Sequence, residues 1–237
     1  EGEKVLMYDT KFATPVSKAE VTMDNDAYQT VTDPSAYVKF KLVDRDEYVL
    51  AWTTTPWTLP ANMALAISDK LEYGLYEVEC EKLIVAKKLA QKLFGNEAIE
   101  QKSYSSNELA GLSYEPLLDD ASIEDNAKGS ETAHKIYMAD FVSAEEGTGI
   151  VHLAPAYGED DFNLVIDDNG YYFAVWAEIL HEKGVRDTDE AGIEVWTANK
   201  FIAKCLEEAG IIWKIEYIRH EYPFNPRSKQ RIMYRAI

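Results

Sequence analysis

Two prolines within five positions, Pro56 and Pro60, most constrain what this chain can become. A proline donates no backbone N–H and crowds the residue before it, so the segment Thr53-Thr54-Thr55-Pro56-Trp57-Thr58-Leu59-Pro60-Ala61-Asn62 predicts neither a ladder strand nor a regular helix. It reads as an irregular, stiff loop leaving a strand. On its N-terminal side apolar and polar residues alternate in Tyr37-Val38-Lys39-Phe40-Lys41-Leu42 and again from Glu47 to Trp52, with Asp44-Arg45-Asp46 as the turn of a hairpin. On its C-terminal side Ala64–Ile67, Tyr73–Glu79 and Lys135–Ala139 read as further strands. Val85, Leu89 and Leu93 at helical spacing predict a short amphipathic helix that stops at Gly95-Asn96.

A second stiff loop follows Glu145-Glu146-Gly147-Thr148-Gly149 and the apolar strand Ile150-Val151-His152-Leu153. It runs through Ala154-Pro155-Ala156-Tyr157-Gly158 into a helix over Glu159–Ile166. Near the end, a helix with Thr197 as N-cap carries Phe201, Ile202, Cys205 and Leu206 on one side and halts at Gly210, before a long strand over Ile211–Arg219. Lys4–Val21 reads as extended and turning, and the polar Gln101–Asn107 and acidic Leu118–Gly129 as surface loops. No internal repeat and no Gly/Ser-rich linker divides the 237 residues. The expectation is one α+β domain over 1–237: a mixed β-barrel-like core, surrounding short helices, and ribbon-like termini at roughly 1–35 and 215–237 that connect toward a catalytic body.

Composition narrows the function. Against 24 Lys and Arg stand 42 Asp and Glu, a net charge of −18, which excludes a protein that grips nucleic acid through a broad basic face. A polyanion must be held locally, with Arg219, Arg227, Lys229, Arg231 and Arg235, and Lys87, Lys88 and Lys92, as the available cations. Cys80 and Cys205 form no CxxC pair and read as two reduced core thiols; His134, His181 and His220 lack ligand spacing, so no metal is expected. No apolar run is long enough to cross a bilayer and no signal pattern opens the chain, which predicts a cytoplasmic protein without membrane contact.

The chemistry gathers at the two stiff loops. The first offers the hydroxyls of Thr53, Thr54, Thr55 and Thr58, the Asn62 amide and the Trp57 ring; the second offers His152, Glu159, Asp160 and Asp161. No GxSxG elbow accompanies them, so a covalent Ser-type mechanism has little support. Each feature alone has a plainer reading: turn chemistry for the threonines, helix-start charges for the acidic residues, a hydrogen-bonded core residue for His152.

Together, WTTTPWTLPAN and GTGIVHLAPAYGEDDF resemble the editing domain of class I aminoacyl-tRNA synthetases, the connective-polypeptide insertion shared by the isoleucyl, valyl and leucyl enzymes. TTTPWT in place of TTRPxT, and the histidine within GTGIVHLAP, resemble the isoleucyl type; DPSAYVKFKL, ELAGLSYEPL and the terminal IMYRAI extend the likeness along nearly the whole chain. Neither a HIGH-type nor a KMSKS-type signature is present, so the fragment is expected to carry out no aminoacylation.

The resemblance implies hydrolysis of mischarged valyl-tRNA(Ile), and of valyl-adenylate as a second substrate, by a monomer bound to the valine-bearing acceptor end of tRNA(Ile) and to the synthetase body. Isoleucine and valine differ by one methylene, about 1–3 kcal/mol in a pocket, a limit for which isoleucyl-tRNA synthetase is itself the standard example. Carried onto this chain, the resemblance makes Asp161 the carboxylate that holds the substrate ammonium. Thr54 and Thr55 place the ester, the terminal adenosine and the attacking water; His152 and Trp57 are walls, and Thr53 and Asn62 flank them. No cofactor is expected for the fragment, ATP and magnesium belonging to the full-length enzyme. The alternatives are a non-catalytic structural or tRNA-docking insertion and an editing domain of the valyl or leucyl type.

Overall fold

The computed structural model describes residues 4–23, 27–95, 98–117, 133–165 and 195–236. The largest element is a six-stranded sheet in the order β11-β3-β4-β7-β6-β8. Its strands are β3 (Tyr28–Lys41), β4 (Tyr48–Thr53), β6 (Tyr73–Val78), β7 (Glu81–Ala86), β8 (Glu100–Tyr104) and β11 (Ile212–Pro223). Only the β4–β7 pair in it is parallel. A smaller sheet, β10-β5-β9, is made of β5 (Ala64–Ile67), β9 (Lys135–Met138) and β10 (Val151–Leu153). A third, β12-β1-β2, joins β1 (Val5–Asp9) and β2 (Thr14–Pro15) to β12 (Ile232–Ala236). All three sheets are open, so the α+β expectation holds while the barrel-like core is corrected to stacked open sheets.

Period-two alternation explains the layering. Along β5, Leu65 and Ile67 face the main core with Ile136, Val38, Phe40 and Ile84, whereas Ala64 and Ala66 face a second cluster with Met63, Leu153 and Ala154. The far face of the large sheet packs Tyr37, Leu50, Leu83 and Val85 under helix α2 (Lys87–Phe94), which contributes Ala90, Leu93 and Phe94. Beyond Ala36, β3 pairs with β11 alone, so Pro34 stands where the missing N–H disturbs no second ladder. Among the described residues no helix is long and apolar enough to cross a membrane.

Several local expectations are corrected. The Pro56–Pro60 segment is a 3₁₀ turn over Pro56–Ala61, because Pro56 sits at its start, where no N–H is needed, and the turn is too short for Pro60 to break. Helix α1 (Lys18–Met23) replaces extended chain, anchored by the fully buried Val21. Glu81–Ala86 is a strand, so the helix starts two residues after Val85. Gln101–Asn107 holds β8 and the one-turn helix α3 (Ser106–Leu109), closed by a Ser105–Glu108 capping box. Helix α4 (Glu159–Val165) follows the second loop as expected. Helix α5 (Val195–Glu208) takes Thr197 into its first turn, which removes the N-cap assignment; its buried stripe is Asn199, Ile202, Ala203 and Leu206, leaving Phe201 and Cys205 exposed. Cys80 is exposed too, in the two-residue Glu79-Cys80 turn of positive φ that joins β6 to β7. The acidic Leu118–Gly129 loop lies outside the described residues.

The Gly147-Thr148-Gly149 turn docks β10 onto the large sheet. The Ala86 N–H donates to the Thr148 carbonyl at 2.9 Å, and the Tyr73 hydroxyl donates to the Gly149 carbonyl at 3.1 Å. Gly149 has φ +74°, and a Cβ there would stand 2.4 Å from the Ala86 Cβ. Gly149→Ala is therefore expected to cost at least about 2 kcal/mol, read as a lowered midpoint of denaturant unfolding; an unchanged midpoint would show that the turn can move away from β7.

Candidate functional site

The antiparallel β5–β10 pairing brings the two stiff loops together. Leu65 lies opposite His152, so both side chains take the same face, and the Met63 N–H donates to the Leu153 carbonyl at 2.9 Å. His152 thereby enters from one loop into the polar side chains of the other. Its Nε2 is 2.8 Å from Thr58 Oγ1 and its Nδ1 is 3.3 Å from Asn62 Nδ2.

Carbonyl groups, which only accept, fix the proton positions in this network. Asn62 Nδ2 donates to the Ala64 carbonyl at 2.9 Å, so the nitrogen of that amide faces His152 and donates to Nδ1. Thr58 Oγ1 donates to the Thr55 carbonyl at 2.8 Å, so His152 Nε2 carries the proton and donates to Thr58. The Tyr114 hydroxyl, fully buried, completes the amide by donating to Asn62 Oδ1 at 2.6 Å. Burial pushes the His152 imidazole down from 6.5 to about 4, so the ring is neutral at physiological pH and its one lone pair is engaged. His152 is thus a poor general base and a rigid support.

The threonines differ in freedom. The Thr55 N–H donates to Thr53 Oγ1 at 3.1 Å, while the hydroxyl contacts Thr53–Thr55 and Thr55–Thr58 are both 3.3 Å, long for O–H···O bonds. Thr55 can therefore turn toward a ligand at little cost, whereas Thr53 is held by the Thr55 N–H. Thr54 is half-buried, and its hydroxyl has no hydrogen bond to a described residue. Trp57 is 3% exposed, wedged edge-on between Tyr157 at 4.9 Å and Trp196 at 5.6 Å, so it shapes the site from within the core.

Asp161 opens helix α4 and folds back, its Oδ2 accepting the Ala154 N–H at 2.8 Å two residues beyond His152. Gly158 permits this return, since a Cβ there would lie 2.6 Å from the Asp161 Cγ. Asp161 has no ion-pair partner among the described residues, and burial pushes its carboxyl up from 3.8 to about 6. Asp160 and Glu159 beside it are exposed. A desolvated carboxylate without a cation is chemically ready for an ammonium group.

The fold thus brings Thr53, Thr55, Asn62 and His152 into one network, with Asp161 of α4 bonded to Ala154 just past the end of β10, while Trp57 lies beneath. Tyr114, Asn199 and Trp196 join the site without having been singled out from the sequence. Of the eight proposed polyanion contacts three are ion-paired to described residues, Arg227 with Glu20 at 2.6 Å, Arg231 with Asp33 at 2.8 Å and Lys87 with Glu100 at 2.8 Å, and Arg235 lies over the Tyr8 ring.

No protein-family model matches the chain. Among curated proteins it is 36% identical over 236 residues to the isoleucine–tRNA ligase of Clostridium kluyveri, covering 99% of this chain and 22% of that protein. The Clostridium tetani enzyme is 37% identical over 238 residues, and that of Picrophilus torridus 35% over 237. The chain spans 22% of the length of each of these relatives. Among solved structures, a leucyl-tRNA synthetase CP1 domain (GlLeuRS-CP1) superimposes with TM-score 0.56 at 14% identity, covering 77% of this chain and 98% of its own. The editing domain of P. knowlesi cytosolic leucyl-tRNA synthetase gives 0.55 at 11%, covering 76% and 95%. Along its whole length, then, the chain is a homologue of one segment of the isoleucyl-tRNA synthetases, and that segment has the CP1 editing-domain fold of the class I synthetases.

Proposed function

We propose that this chain is a post-transfer editing hydrolase that cleaves the aminoacyl ester of valyl-tRNA(Ile), with valyl-adenylate as a second substrate. The observation that carries this reading is Asp161, a carboxylate raised to about 6 by burial and lacking a cationic partner among the described residues, anchored to the Ala154 N–H two residues after the histidine that meets the threonine loop. The ammonium of valine would supply the missing cation. Thr54 and Thr55 would orient the ester and the attacking water, with Thr53 and Asn62 flanking and His152 and Trp57 bounding the side chain. Water is the co-substrate, and no cofactor is assigned to the chain; ATP and magnesium belong to the activating site elsewhere in the full-length enzyme. With His152 engaged through both nitrogens, proton removal from water falls to the substrate ribose or to bulk solvent. A cytoplasmic monomer that relies on the synthetase body for most of its tRNA affinity completes the proposal.

The test is single-turnover deacylation of valyl-tRNA(Ile) and isoleucyl-tRNA(Ile) with the chain in excess. Hydrolysis of the valyl ester is expected only at high chain concentration, because a surface of net charge −18 repels the polyanion; the local phosphate contacts that still hold it weaken as salt is added. Equal rates on both esters, or tight binding that ignores salt, would sink the proposal.

A further inference from the structure

The turn that carries Thr55, Trp57 and Thr58 begins in an unusual way. At the start of a helical turn the first N–H groups lack acceptors, and the residue at the cap position ordinarily supplies its own side-chain oxygen. Here Thr55 holds the cap position with φ −127° and ψ 67°, yet its hydroxyl makes no capping bond. The Trp57 N–H instead donates to Asn199 Oδ1 at 3.0 Å, across 142 residues, in a buried bond. Asn199 is 1% exposed on α5, one turn after Trp196, whose ring meets that of Trp57. Its Nδ2 is buried and has no partner among the described residues. An amide buried with half its capacity unused is held at a cost, and the used half is the carbonyl that faces Trp57.

We infer that Asn199 is a positioning residue of the editing site: it caps the 3₁₀ turn from another element, and so releases the Thr55 hydroxyl from capping to face the substrate. The inference rests on the reading of Thr55 as a substrate-placing residue. The two hydrogen-bonding options of Thr55 exclude each other. With Asn199 in place, Thr55 Oγ1 lies 3.3 Å from both Thr53 and Thr58, loosely held and able to reorient. Without an acceptor at position 199, the Trp57 N–H becomes a buried orphan, and the oxygen that a cap residue ordinarily offers to the N–H at this position of a turn is its own, here Thr55 Oγ1. Turning inward to do so would withdraw it from the site while the fold persists.

The experiment compares Asn199→Leu, which keeps the size and removes the acceptor, with Asn199→Asp, which keeps an acceptor oxygen and puts a second carboxyl oxygen in place of Nδ2. Each is made in the wild-type and Thr55→Ala chains. Single-turnover deacylation of valyl-tRNA(Ile) separates the maximal rate from the half-saturating chain concentration, and amide exchange at Trp57 reports the bond itself. Asn199→Leu is expected to lower the maximal rate about tenfold with little change in half-saturation, and to free Trp57 for exchange. Asn199→Asp should stay within about threefold of wild type and keep Trp57 protected, and Asn199→Leu should cost nothing further in the Thr55→Ala chain. If Thr55→Ala alone leaves the rate unchanged, the editing role of Thr55 fails. If it lowers the rate but Asn199→Leu is silent, or lowers the rate equally in both backgrounds, the positioning role fails. Should Asn199→Leu not fold, the Asp variant decides through exchange and rate together: an exposed Trp57 N–H with full activity overturns the inference, and so does a protected one with lost activity.

Discussion

Asp161→Ala is expected to lower the rate of valyl-tRNA(Ile) hydrolysis by roughly ten- to a hundredfold. A charge-assisted hydrogen bond to an ammonium contributes about 1.5–3 kcal/mol, and a difference of that size held in the transition state has this effect on rate. Asp161→Asn is the sharper variant, because it keeps an oxygen for the Ala154 N–H and removes only the charge. A comparable loss in both variants, with unfolding midpoints near wild type, assigns Asp161 to substrate binding. Full activity in Asp161→Asn would assign it to the start of α4 instead.

The same group sets a pH dependence. Its folded pKa lies near 6, above the ordinary 3.8, so the ionised form that accepts an ammonium accumulates only as pH rises through about 6. Hydrolysis at subsaturating chain should rise across that range. Stability runs the other way: the contribution of the neutral carboxyl is fully present below 3.8 and is lost as pH rises through about 6, so wild type should weaken relative to Asp161→Asn over that window.

The second large effect belongs to His152→Ala, expected to destabilise the chain by about 2–5 kcal/mol, since it empties a buried site and leaves Thr58 and Asn62 each short of a partner. The variant must therefore be assayed in the cold, where enough of it remains folded. With the wall removed, isoleucyl-tRNA(Ile) should be hydrolysed about tenfold or more faster relative to valyl-tRNA(Ile). An equal fall in both rates would make His152 a support for the threonines only. For this residue the folded pKa is depressed, from 6.5 to about 4, so its contribution is present above 6.5 and is lost as pH falls through 4. Wild type should thus lose stability relative to His152→Ala on acidification.

What was legible in the chain follows physical lines. β3 near Phe40 announces itself by alternation, with Lys39 and Lys41 between Val38, Phe40 and Leu42, whereas β4, buried on both faces, shows as a short apolar run. β8 shows neither, because Gln101, Lys102 and Ser103 are all exposed and carry no apolar face to read. Glu81–Ala86 runs into α2 without a breaking residue, so Val85 fits helical spacing equally well. The Ser105-x-x-Glu108 cap was present in the sequence but its Ser105 lay inside Gln101–Asn107, read as solvated loop, with Glu108 just beyond. Both cysteines went against the usual burial of their type, Cys80 because it occupies a two-residue turn and Cys205 because it falls on the solvent side of α5. Within the site, the two proline-stiffened loops could be picked out by composition, whereas the meeting of His152 with Thr58 depends on the β5–β10 register. The Asn199–Trp57 bond depends on the packing of α5, which no spacing encodes.

The pairing of β1 with β12 sets Val5 opposite Ala236. Bringing those positions together from an unfolded chain costs loop-closure entropy of about 5 kcal/mol for a span of this length. Any covalent frame that holds the two ends side by side removes most of that cost before folding begins. A short linker joining residue 236 to residue 5, with new ends cut in a surface turn such as Asp44-Arg45-Asp46, should fold faster than the linear chain.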